Sequence, residues 1–262
     1  MKGLDGKTAI VTGGAQSLGA GVVAALKEAG VNVVIADIAE EQGAALADRL
    51  GETVVFKHTD LRSDDDIRAC VSTAVDKFGG IDFLINVACS YLDDGPNSPR
   101  ADWLTSLDIN FVGHVVLMQE ALPHMKKRGG GAIVNFSSIS ARVAQPGRWL
   151  YPVSKAAITQ LTRNQAMDLA QYNIRVNSVS PGWIWCRLMS EVTNDDKAKT
   201  NSVAAPFHML GRVGEAGEVA DVVLFLCSDH ASFVTGANYD VDGGYGALGP
   251  EGREPAIPKL ME

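Results

Sequence analysis

Short runs rich in valine and isoleucine recur along this chain, at 8–11, 31–36, 53–57, 83–87, 132–136 and 174–179, with a last one at Asn238–Val241. The stretches between them, 19–29, 40–50, 64–78, 102–125 and 152–172, have helical period and lengths that suit helices crossing over a parallel sheet. The strand runs are apolar at nearly every position rather than alternating, which is the pattern of strands buried on both faces. The expectation is an α/β fold, a doubly wound parallel sheet of about seven strands with helices on both sides. One such sheet fills 262 residues, and no linker, repeat or low-complexity tract divides them, so 1–262 is read as a single domain.

The beat fails after Pro181. Residues 187–217 mix polarity, carry a charged patch at Asp195, Asp196, Lys197 and Lys199, and end among Gly211, Gly214 and Gly217. An excursion this long is expected to be functional or mobile, here a substrate loop. A helix is expected again over 218–227. The final 18 residues, from Tyr245, hold three prolines and three glycines and read as an irregular tail, 245–262.

Charge narrows the function classes. With 23 basic and 31 acidic side chains the net charge is −8, which works against phosphate backbones and anionic lipid. No nucleic-acid or membrane partner is expected, and no apolar run approaches the ~20 residues that cross a bilayer. Cys70, Cys89, Cys186 and Cys227 lack metal-type spacing, so no metal is expected; with no leader read ahead of the first strand, they are taken as reduced thiols in a cytoplasmic protein.

Between the first strand and the first helix runs Thr12-Gly13-Gly14-Ala15-Gln16-Ser17-Leu18-Gly19, a turn that lets backbone approach a pyrophosphate at a helix N-terminus. Packing alone also produces glycine turns of this kind. The second strand ends at Asp37, 18 residues past Gly19, where a carboxylate accepts from ribose hydroxyls and repels a 2′-phosphate, which argues for NAD over NADP. Asp60, after the third strand, is placed to accept from an adenine amino group or to serve as a turn residue. Tyr151 and Lys155 lie four apart on one helix face, with Ser138 thirteen residues earlier at a strand end. A phenol titrates near ~10, so proton exchange at neutral pH calls for a nearby ammonium and a positive helix end.

With these motifs in one strand order, the chain resembles the short-chain dehydrogenase/reductase family, a Rossmann-fold family, from about Lys7 to Gly244. The family's glycine turn falls on Thr12, Gly13 and Gly19, its Asn-Asn-Ala-Gly segment on Asn86-Val87-Ala88-Cys89, and its catalytic tetrad on Asn110, Ser138, Tyr151 and Lys155. Its Pro-Gly falls on Pro181-Gly182 and its late Val-Asp-Gly-Gly on Val241-Asp242-Gly243-Gly244. The resemblance implies hydride transfer with a nicotinamide cofactor, with Tyr151 as acid or base and Ser138 on the substrate oxygen. Lys155 would bind the nicotinamide ribose and Asn110 would support a relay water. Further cofactor contacts are implied at Ser17, Leu18, Ile38, Leu61, Asn86, Ala88 and Ile184. A homotetramer is implied too, packed through the helices beginning near Asp102 and Pro152.

Three departures stand out. Ser17 replaces the middle glycine of the turn, so the loop must keep an ordinary backbone there or aim the hydroxyl at the ligand. Val87 and Cys89 replace an asparagine and a glycine, and Cys186 replaces a threonine that would hold the carboxamide more firmly than a thiol can. For the substrate, the candidates are Ser90, Ser140, Arg148, Trp183 and His208, with Arg142 and Arg187 as further guanidinium groups able to pair with an anion. The sequence thus points to an NAD-dependent dehydrogenase oxidising a secondary alcohol of a small polar molecule: a sugar, polyol, sugar acid or cyclic diol. The alternatives are a 3-oxoacyl reductase and a non-catalytic nicotinamide sensor. A hydrolase is excluded for want of a nucleophile elbow.

Overall fold

A computed structural model describes residues 1–252 and 256–261. Its centre is a seven-stranded, wholly parallel sheet in the order β3-β2-β1-β4-β5-β6-β7. The strands are β1 (Thr8–Thr12), β2 (Asn32–Asp37), β3 (Val54–His58), β4 (Phe83–Asn86), β5 (Gly131–Phe136), β6 (Ile174–Pro181) and β7 (Asn238–Val241). Successive residues of one strand feed opposite cores. Ala9 and Val11 pack with α1 (Ser17–Glu28), α2 (Glu40–Leu50) and α9 (Ala216–Cys227), while Ile10 packs with α3 (Asp64–Phe78), α5 (Gly113–Lys127) and α6 (Leu150–Leu169). That is the physical reason the strands read as unbroken apolar runs.

Helices α2 and α3 start and stop where periodicity places them. The expected single helix over 102–125 is instead three pieces: α4 (Arg100–Leu107), a π-helical turn (Asp108–Val112) and α5. The wider turn is held by the side chain of Asn110, fully buried within it. Residues 187–217 also differ from expectation. They contain α7 (Arg187–Thr193) and α8 (Lys197–Ala204), joined through Asn194 and Asp195 in left-handed conformation, with the Asp196 carboxylate accepting from Lys199 N–H at the start of α8. Mixed polarity hides these helices because each is only two turns long.

The tail is more ordered than its composition suggests. Short 3₁₀ turns at Tyr245–Ala247 and Pro250–Gly252 precede α10 (Ala256–Lys259), and the Tyr245 ring stacks on Phe207. Positions 253–255 and 262 of the expected tail lie outside the described residues. No helix among the described residues is long and apolar enough to cross a membrane.

Candidate active site

Strand β1 pairs with β2 on one side and β4 on the other, so the chain changes winding direction there. The loops leaving the carboxyl ends of the strands diverge around that point and leave a cavity of about 870 Å³. One end is walled by Gly13, Ser17, Leu18, Gly19, Asp37, Ile38, Asp60 and Leu61. Ser138, Ser140, Tyr151, Lys155, Ser90, Arg148 and Trp183 line the other end, with Ala88, Pro181, Gly182 and Ile184 between. Five sequence-nominated residues do not reach this wall: Asn86, Asn110, Arg142, Arg187 and His208.

At the glycine-rich end the turn is folded tightly enough that side chains are excluded. A Cβ on Gly13, where φ is +64°, would stand 2.7 Å from the Ala88 Cα, and one on Gly19 would stand 2.0 Å from the Gly13 carbonyl oxygen. Gln16, at the N-cap of α1, makes no side-chain capping hydrogen bond and the first turn holds no acid, so the positive end of the helix faces the cavity uncompensated. Ser17 does not keep an ordinary backbone: its φ is +49°, the left-handed region that a glycine occupies without strain. The Asp37 carboxylate receives Ala15 N–H and Ala39 N–H at 3.0 Å each and so braces the turn it faces. Asp60 is occupied differently. Its carboxylate accepts from the Arg62 backbone and guanidinium, the closest contact being 2.6 Å, and the Arg62 hydrogen bond holds the Asp60 carboxyl below the usual range. A nicotinamide dinucleotide fits this set of an uncapped helix end, a turn closed to side chains, and a carboxylate at the neighbouring strand end.

At the other end Tyr151 is 8 % exposed and its ring stacks on Tyr91, centroids 5.1 Å apart. Lys155, 2 % exposed, sends its ammonium to within 5.5 Å of the Tyr151 ring centre and donates to the Phe136 carbonyl at 2.8 Å. Ser138 Oγ accepts from Ser140 N–H at 3.1 Å, and Ser140 Oγ donates to Gln145 Oε1 at 2.6 Å. The first turn of α6 has its N–H groups met from a distance: Asp93 accepts from Trp149 at 2.8 Å and Tyr151 at 3.0 Å. Burial pushes the Asp93 carboxyl up, but the backbone donors of Trp149, Tyr151 and Leu150 outweigh it and hold the group below its ordinary value.

Asn110 stands behind this wall. Its Oδ1 accepts from Ser90 N–H at 2.5 Å, and its Nδ2 donates to the Ser90 carbonyl and to Ser154 Oγ, so it fixes the loop after β4 against α6. Asn86 turns its side chain into the sheet: it is 2 % exposed and donates to Asn135 Oδ1 in a buried amide chain continuing to Thr162 and Gln165. Its partner lies in the sheet, away from the cavity. His208 is turned inward as well. It is 3 % exposed, Nε2 accepts from Trp183 N–H, and Nδ1 faces the Ala204 carbonyl at 3.0 Å, so both ring nitrogens are engaged by backbone. Arg142 is bound to Asp240, and Arg187 to Glu191 and Gln16.

Sequence reasoning missed Asp93 and His114. Nothing in local spacing marks Asp93, whose partners are 56 and 58 residues away. His114 lies four residues after Asn110, hence on the same helix face, which is a usable signal. It is fully buried, with Nε2 at 3.3 Å from the Thr12 hydroxyl, which in turn receives Val87 and Ala88 N–H. Burial, helped by the Lys155 charge, pushes the His114 imidazole down to about 3, so it is neutral. The thiols of Cys70 and Cys227 are raised by burial to about 11 and about 12, and these two are unreactive.

A family model described as enoyl-(acyl carrier protein) reductase matches residues 13–246. A trans-4-hydroxycyclohexanecarboxylate dehydrogenase of Sinomonas cyclohexanicum is 36% identical over 248 residues, covering 91% of this chain and 92% of its own. The cis-4-hydroxycyclohexanecarboxylate dehydrogenase of the same organism is 37% identical, covering 92% of this chain and 97% of its own. An L-fucose dehydrogenase of Bos taurus is 37% identical, covering 91% and 89%.

Proposed function

The chain belongs to the short-chain dehydrogenase/reductase family of oxidoreductases that act on CH–OH groups with a nicotinamide cofactor, and we propose that it is an NAD-dependent dehydrogenase converting a secondary alcohol of a small polar substrate to the ketone or lactone. The sugar, polyol, sugar acid and cyclic alcohol classes remain the substrate candidates. Relatives named for ring-borne alcohols, two hydroxycyclohexanecarboxylates and L-fucose, support them. The observation that carries the proposal is that Tyr151, Ser138 and Lys155 line the same cavity as the glycine turn and Asp37.

Asp37 supports NAD over NADP, because a 2′-phosphate beside its carboxylate would meet like charge. The cation at that end, Arg62, is already closed onto Asp60. When bound, the nicotinamide supplies the hydride acceptor. The remaining work belongs to side chains: Ser138 Oγ donates to the alcohol oxygen, and Tyr151 takes the hydroxyl proton as the carbonyl forms. Lys155, held by the Phe136 carbonyl, keeps positive charge beside the phenol throughout. Ser140 N–H keeps Ser138 Oγ in place, and Asn110 acts as a positioning residue between the Ser90 loop and α6.

Following NADH absorbance with paired neutral and acidic alcohols tests this, with Tyr151→Phe as control. Turnover abolished by that change is expected; NADPH-dependent reduction of 3-oxoacyl thioesters in its place would overturn the reading. A homotetramer goes with the proposal, supported by Leu104, Val112, Val153 and Met167, apolar and exposed on the segments that the family packs together. Light scattering checks it. A cytoplasmic location is consistent with four unpaired thiols.

A further inference from the structure

Resting on the dehydrogenase reading, we propose that the substrate carries a carboxylate or equivalent anion and that Arg148 binds it. The argument begins with an imbalance. The chain has a net charge of −8, yet the carboxylates lining the cavity, Asp37 and Asp60, both stand at the glycine-rich end. The charged groups on the catalytic wall are Lys155 and Arg148. Lys155 has its carbonyl partner. Arg148 makes no ion pair or hydrogen bond among the described residues, and its guanidinium carbon lies 5.7 Å from the centre of the Tyr151 ring.

The other two arginines of this region are accounted for by Asp240 and by Glu191 with Gln16. Asp93, which reaches the residue next to Arg148, turns its oxygens onto Trp149 and Tyr151 N–H. Arg148 is exposed, lines the cavity and stands over the Tyr151 ring, so its guanidinium borders the space in which Tyr151 must meet its substrate. A guanidinium is weakly hydrated and matches a carboxylate in a two-pronged hydrogen bond. Arg148 and Tyr151 are three residues apart and flank one space, so one small molecule can present a carbinol to the phenol and an anion to the guanidinium. The walls between them, Tyr91, Ile139, Trp183 and Met189, are aromatic or apolar and suit a ring or short hydrocarbon spacer. The substrate class is a compact hydroxy acid.

Two readouts test it. Calorimetry on the NADH-loaded protein compares cyclohexanecarboxylate with the neutral cyclohexanecarboxamide, and turnover compares 4-hydroxycyclohexanecarboxylate with its amide. The acid is expected to win in both by about 10- to 100-fold, the range of a hydrogen bond to a charged group. Arg148→Met should collapse that ratio toward one, and Arg148→Lys should restore part of it. Equal affinities in the parent protein, or a ratio that survives Arg148→Met, overturn the proposal. Tyr151-dependent turnover without acid preference sinks the anion site and leaves the dehydrogenase standing. Arg148-dependent acid binding without turnover of any alcohol does the reverse.

Discussion

At the amino-terminal edge of the sheet the Asp82 carboxylate, 3 % exposed, accepts from Lys7 Nζ at 3.1 Å, Arg128 Nη2 at 2.9 Å and Thr8 N–H at 3.0 Å. At the carboxyl-terminal edge the buried Lys155 and the exposed Arg148 line a cavity, and among the described residues Arg148 makes no hydrogen bond or ion pair, only a contact with the Tyr151 ring. Both edges bring charge into the protein, but one closes the circuit with its own side chains and the other leaves it open. Closed charge sets stability and register, whereas open charge awaits a ligand.

This contrast breaks if substitutions at the two edges have interchangeable effects. Tyr151→Phe should lower kcat by about 10²- to 10⁴-fold while leaving melting temperature and NADH affinity in place, as stopped-flow, calorimetry and fluorescence would each record. Asp82→Asn should do the opposite. Removing a buried partner from two cations is expected to cost about 3 kcal/mol in urea unfolding, with kcat/KM unchanged wherever the protein is folded.

His114 sits between the edges and sharpens the comparison through pH. In the unfolded chain its imidazole takes a proton near ~6.5, but in the folded protein it does so only near 3, so below pH 6.5 the unfolded state holds the extra proton. Stability contributed by this site is present above pH 6.5 and falls with pH by up to about 1.4 kcal/mol per unit. Unfolding curves of His114→Gln between pH 7 and 4 should be flatter than those of the parent; parallel curves would remove the histidine from the account. The smallest effect is at Ser17. Ser17→Gly should stabilise by about 0.5 to 1 kcal/mol, the relief of a left-handed serine less the extra freedom glycine carries when unfolded. Weaker NADH binding by the same variant would show that the Ser17 hydroxyl contacts the cofactor.

The sheet was legible because burial on both faces writes itself into every strand position, as in Val33, Val34 and Ile35. The Tyr151 to Lys155 spacing was legible because helix geometry alone puts both on one face. Asn110 and Asn86 were visible as residues but not as contacts: the π turn inserts a residue into the helical count, and the pleat turns Asn86 toward Asn135. His208 was a substrate candidate in a segment without period, and a backbone N–H and a carbonyl from separate elements close on its ring. Asp93 reaches α6 across a distance in sequence that no local pattern reports, and the positive φ of Ser17 is invisible because serine rarely adopts it.

The Asp93 contact has a bearing on engineering. Loops after β4 are natural targets for transplanting specificity, since Ser90 and Tyr91 belong to that segment. In this chain the same loop supplies the carboxylate on which the opening turn of α6 is hung. A graft that brought in a new binding surface but no acceptor at position 93 would loosen the anchorage of the phenol as well, so selectivity and rate would drop together and be mistaken for a poor substrate match. Loop libraries built on this scaffold should therefore hold residue 93 constant and vary around it.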